Sequence, residues 1–147
     1  MKIKIHESIE IVADIERVFD YTQDYDNRLK WDTFLREARL INGAQEAGIG
    51  VKSFCKAYNG LGMETEYISF RRPKVTAIRM TKGPFIFKTF SGSWNFKQKS
   101  DSITHVSFRY SYKLRFPWSM FVPLITPVLQ KNVRQRLKDL KYNIELN

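Results

Sequence analysis

Tyr67, Tyr110 and Tyr112 are the polar side chains with the clearest route to an interior site, because each falls on the apolar parity of an alternating strand. In METEYISF, Met63, Thr65 and Tyr67 alternate with Glu64 and Glu66. In THVSFRYSYKLRF, Val106, Phe108, Tyr110, Tyr112 and Leu114 take one face, and His105, Ser107, Arg109, Ser111 and Lys113 the other. A buried hydroxyl needs a partner, which a wet or ligand-filled cavity would supply. Two charged residues share such a parity: Glu7 with Ile5 and Ile9, and Lys88 with Phe90 and Trp94. Inside an apolar pocket either would have a perturbed pKa and serve as acid or base. A bulge or a frayed strand end would return it to solvent.

Other chemistries find little support. His6 and His105 are the only histidines, and both take polar positions in strand patterns, so they read as surface residues. One cysteine and two unrelated histidines offer no metal-ligand spacing, and no metal or other cofactor is expected. The glycines of GIG (48–50) and GLG (60–62) read as turn residues, and no nucleophile elbow or phosphate-binding loop occurs. Catalytic residues are therefore not assignable from the sequence.

The elements that must position these residues follow from periodicity. Ile3, Ile5, Ile9 and Ile11 define a first strand. Asp14 is placed to cap a helix over IERVFDYTQ that points Val18 and Phe19 inward. DYDNRLKWD forms a second short helix with Leu29 and Trp31 as apolar contacts. About six strands follow as a meander, with NGLG as a tight hairpin. Leu129, Val133, Leu137, Leu140 and Ile144 then form one apolar stripe of a long helix, with Lys131, Arg134, Arg136, Lys138 and Lys141 on its remaining surface and Pro127 in its first turn. A sheet with one apolar face and one helix to cover it makes an α+β domain spanning 1–147. The single cysteine, Cys55, suits a reducing compartment, and the alternating N-terminus lacks the apolar core of a signal peptide, so a cytoplasmic location is expected.

The opening SIEIVADIERVFDYTQDYDNRLKW, the SGSWNF segment with the alternating strand after it, and the ending RQRLKDLKYNIE together resemble the START/Bet v 1-like (SRPBCC) superfamily, within it the polyketide cyclase/dehydrase and lipid-transport group. The resemblance spans nearly the whole chain. It implies a helix-grip fold: a curved antiparallel sheet of about seven strands wrapped around the C-terminal helix, two short helices after strand 1, and an internal cavity for an apolar ligand. Strand parity then nominates Met63, Thr65, Tyr67, Ile78, Met80, Phe90, Trp94, Phe108, Tyr110 and Tyr112 as cavity residues. Trp31 and Phe34 join them at the helical end, with Leu129 and Val133 from the helix. Each would otherwise simply fill the core. Binding of a small hydrophobic or lipid-like ligand, for transport or sensing, is the expected function. A cofactor-independent cyclase or dehydratase using the same cavity is the alternative, and convergence of two or more polar side chains in the pocket would favour it. A regulatory module that binds another protein is the third reading.

Charge is unevenly placed. Residues 1–66 hold 9 Lys/Arg against 12 Asp/Glu, and residues 67–147 hold 16 against 3. That asymmetry suits an anionic partner or a solvated basic face. Nucleic acid is disfavoured, because Tyr110 and Tyr112 lie opposite Arg109 and Lys113 and a stacking platform needs the two together. The uncharged stretch FPWSMFVPLITPVLQ, Phe116 to Gln130, is too short to cross a bilayer and is broken by prolines. It reads as a hinge between the last strand and the C-terminal helix. Trp118, Phe121 and Leu124 are expected there, with Met120, as a partly exposed gate or a shallow contact with an anionic membrane.

Overall fold

The computed structural model describes residues 2–146. Seven strands, β1 (Ile3–Ile11), β2 (Leu35–Leu40), β3 (Lys52–Ala57), β4 (Gly62–Arg71), β5 (Val75–Lys82), β6 (Phe87–Ser100) and β7 (Ile103–Leu114), form one antiparallel sheet. Its spatial order is β1-β7-β6-β5-β4-β3-β2. The first two strands in sequence therefore lie on opposite edges, and α1 (Ile15–Gln23) and α2 (Arg28–Trp31) carry the chain between them. Register shifts between Glu64 and Thr65, Tyr67 and Ser69, and Phe87 and Thr89 mark bulges, the devices that bend a sheet. The curled sheet closes around a 25-residue helix, α3 (Val122–Leu146).

Local chemistry sets the short helices. The Asp14 carboxylate accepts the Arg17 amide at 2.9 Å and caps α1, so Val18 and Phe19 turn inward. The Phe19 ring meets Phe70 and Phe96 edge-on, at 5.4 and 5.3 Å. In the single turn of α2, positions 28 and 31 share a face. Arg28 and Trp31 are buried while Leu29 is exposed, the reverse of the expectation that Leu29 would be an apolar contact.

In α3 the stripe Val133, Leu137, Leu140 and Ile144 is buried against the sheet, joined by partly buried Leu129. Fully burying one such aliphatic side chain is worth about 1.5–3 kcal/mol. Two expectations for this helix change. A 3₁₀ turn over Trp118–Phe121 runs straight into it, so Pro123 occupies the first turn and Pro127 lies inside the helix. The carbonyl that Pro127 cannot satisfy belongs to Pro123, and both residues are exposed, where water can serve it. Arg136, expected on the surface, is buried at 5% exposure: three residues after Val133 and four before Leu140, it lies on the apolar face.

Candidate functional site

A cavity of about 300 Å³ lies between the concave sheet face, α2 and the N-terminal half of α3. Its wall is mainly aromatic and aliphatic, with Phe34, Leu35, Met63, Ile78, Ile86, Phe87, Phe90, Trp94, Phe108 and Leu129. Leu61 and Val128 line it and are themselves 55% and 59% exposed, so it opens between the β3–β4 turn and the first turns of α3. A larger open groove of about 910 Å³ runs along α1 and the β2–β3 loop, but its polar walls include Asp20 and Arg72, already paired with each other at 2.8 Å. It offers no enclosed apolar surface, and the smaller cavity is the candidate site.

Two polar networks reach into the cavity. In the first, the Tyr67 hydroxyl donates to Gln23 Oε1 at 2.6 Å, and the Tyr25 hydroxyl lies 3.3 Å from both Tyr67 Oη and Ser53 Oγ. Ser53 in turn lies 2.9 Å from Thr65 Oγ1. Burial pushes the pKa of both Tyr25 and Tyr67 up, Tyr67 well above the usual phenol value with the neighbouring Tyr25 adding to the effect. These hydroxyls stay protonated.

The second network is ionic. Asp32 Oδ2 accepts from Arg28 Nε at 2.9 Å and from Arg136 Nε at 3.2 Å, and Arg136 Nη1 donates to the Tyr110 hydroxyl at 2.6 Å. The Asp32 side chain is fully buried. Burial alone would raise its pKa, but the two guanidiniums and the hydrogen bonds from Arg28 and the Phe34 amide outweigh it and hold the carboxyl below the ordinary value. Burial likewise opposes the charge on each arginine. It is outweighed at Arg28 chiefly by Asp32, and at Arg136 by Tyr110 and Asp32, so both pKa values rise. Cys55, also on the wall, is a free thiol whose pKa burial pushes up.

Of the residues nominated from strand parity, Phe34, Met63, Thr65, Tyr67, Ile78, Phe90, Trp94, Phe108, Tyr110 and Leu129 line the cavity. Trp31, Tyr112 and Val133 do not: each is fully buried in the core. The Tyr112 hydroxyl lies 2.5 Å from Thr126 on α3, and the Trp31 ring is covered by Arg28 at 4.9 Å. Met80, paired with Thr65 across the sheet, packs over Gly83 beyond the cavity. The inward tyrosines find their partners in protein groups, Gln23, Arg136 and Thr126, so their hydroxyls are not what demands a cavity.

Glu7 is not an acid or base of the site. It accepts from Gln130 at 2.6 Å and Arg134 at 2.9 Å and ties β1 to α3; these bonds, that to Gln130 first, lower its pKa. Lys88 is exposed. Trp118 is half-buried, edge-on to Phe85 at 5.7 Å, and Phe121 and Leu124 are exposed at 47% and 69%. None of the three lines the cavity; Leu124 precedes the lining residue Ile125, and Trp118 packs on Phe85, between the lining residues Pro84 and Ile86.

Arg28, Asp32 and Arg136 were missed by the sequence reading, although signals existed. Arg28 and Asp32 stand four apart around Trp31, and Arg136 fits the spacing of the α3 stripe. Among the described residues, no group of His, Cys, Asp or Glu is arranged to hold a metal ion, and no helix is long and apolar enough to cross a membrane.

Comparison with solved structures finds the same fold at low identity. The Zhui aromatase/cyclase from Streptomyces sp. R1128 superposes with a TM-score of 0.86 at 11% identity, covering 99% of this chain and 94% of that one. A START superfamily protein from Mycobacterium smegmatis gives 0.80 at 10%, covering 97% of each chain. Norcoclaurine synthase from Thalictrum flavum gives 0.77 at 10%, covering 100% of this chain and 88% of that one. A search of curated protein sequences returned no match. A sequence model described as polyketide cyclase/dehydrase and lipid transport matches residues 2–145. With its seven-stranded sheet gripping α3 around an apolar cavity, this chain belongs to that family, and its fold is the one seen in the START superfamily protein and the aromatase/cyclase.

Proposed function

We propose that this protein binds a small, largely hydrophobic molecule in the sheet–helix cavity, for transport or sensing. The observation that carries the reading is the cavity itself: enclosed by aromatic and aliphatic side chains, open at one end, and at the lower end of the roughly 300–1,000 Å³ range of ligand pockets. The ligand passes the lip formed by Phe121 and Leu124. Organic extraction of the purified protein followed by mass spectrometry is expected to release a stoichiometric small molecule. An extract with none, together with no binding of apolar probes, would overturn the reading.

A second reading, a cofactor-independent cyclase or dehydratase acting on a polyketide-like substrate, is favoured by one observation. Polar groups converge in the pocket, and Arg136 donates to the Tyr110 oxygen, which frees the hydroxyl proton to face a ligand. Turnover of a poly-β-carbonyl substrate by the wild type, lost in Tyr110→Phe with binding retained, would establish it. Binding without turnover in both proteins supports the first reading.

A further inference from the structure

We propose that the ligand carries a carboxylate, which docks on the paired guanidiniums of Arg28 and Arg136 at the inner end of the cavity. This rests on the cavity-binding reading and adds the ligand's charge. The motif Arg28–Asp32–Arg136 contains two guanidiniums and one carboxylate, so within itself it carries one net positive charge. Among the described residues no further carboxylate is ion-paired to either arginine: Glu37 pairs with Arg39, and Asp139 accepts from the neutral Thr33 and Gln135. A buried net charge is costly unless a counter-charge accompanies it.

The donors are also left over. Among the described residues, Arg28 bonds the protein through Nε alone, and Arg136 through Nε and Nη1, which leaves the terminal nitrogens of Arg28 and Nη2 of Arg136 without a protein partner. These atoms are not sealed in: the buried side-chain polar atoms lacking a partner are Trp31 Nε1 and His105 Nδ1. Both arginines line the cavity, which is the space from which a ligand would reach their free N–H groups. Rings cover the guanidinium planes, Trp31 at 4.9 Å from Arg28 and Phe108 at 5.3 Å from Arg136. Stacking fixes the planes and leaves their edges as donors, the geometry that suits a carboxylate's two oxygens. The apolar walls beyond then accept the ligand's hydrocarbon body.

The test is calorimetric titration of the full chain with 2-naphthoate and its neutral analogue 2-naphthylmethanol. The acid is expected to bind about tenfold or more tightly than the alcohol, the margin of one charge-assisted hydrogen bond. Arg28→Met leaves a balanced Asp32–Arg136 pair and is expected to bring the ratio of the two affinities, measured in the same variant, to near one; Arg28→Lys is expected to retain most of the preference. Equal affinities for acid and alcohol in the wild type, or a preference unchanged in Arg28→Met, would overturn the carboxylate site and leave the cavity reading standing. Binding of neither compound, together with an organic extract that holds no small molecule, would overturn both.

Discussion

Asp32 is held by two guanidiniums at once, and its side chain has no contact with solvent. Replacing it with asparagine removes the charge that both arginines need, so Asp32→Asn is expected to destabilise the fold by about 3–5 kcal/mol, read from urea unfolding. The pH dependence has a defined sign. The folded carboxyl has a lowered pKa, so its contribution is intact above the unfolded value of about 4 and is lost as pH falls through the folded value. Glu7, Glu10, Glu64 and Glu145 are lowered too, so the wild type loses stability in acid through several groups. The diagnostic is a shallower loss below about pH 5 in Asp32→Asn. This cluster was the part of the site least legible in the sequence. Arg28 and Asp32 are neighbours on one turn, but Arg136 joins them across 104 positions, and no local pattern announces that closure. Charged residues are ordinarily read as solvated, and here three of them, Arg28, Asp32 and Arg136, are buried.

At the scale of elements, α3 shows why the fold was readable and its edges were not. Its stripe is a property of spacing alone, and the structure buries it as the spacing requires. Leu140→Ala is expected to cost about 2–5 kcal/mol, because Leu140 is wholly enclosed and its removal leaves a cavity in the core; the midpoint of chemical unfolding measures it. The start of the helix depended on which proline lay in the first turn, and the preceding 3₁₀ turn decided it. Strand parity likewise identified which residues face inward but not how far the cavity extends. Tyr112 and Val133 face inward too, yet the contact between sheet and helix closes over them. Parity reports a face; depth comes from packing between elements far apart in sequence.

For the whole molecule, the uncharged Phe116–Gln130 stretch interrupts the basic second half and supplies Ile125, Val128 and Leu129 to the cavity wall. Phe116, Met120, Phe121 and Leu124 are exposed there, with exposed Arg115 and Lys131 beside them. Apolar side chains ringed by cations are suited to shallow contact with an anionic bilayer. Vesicles containing phosphatidylserine are expected to bind the wild type, less so at high salt, and to bind the Trp118→Ser, Phe121→Ser double variant weakly. Unchanged vesicle binding by that variant would remove the membrane contact while leaving ligand binding intact.

The placement of the three tryptophans has a practical consequence. Trp31 lies under the Arg28 guanidinium, Trp94 forms part of the cavity wall, and Trp118 stands on the lip against Phe85. The protein thus carries an intrinsic fluorophore at each place where something is expected to happen. With two of the three changed to phenylalanine in turn, the remaining indole's emission would report separately on the head of a ligand, on its body and on the surface it came from.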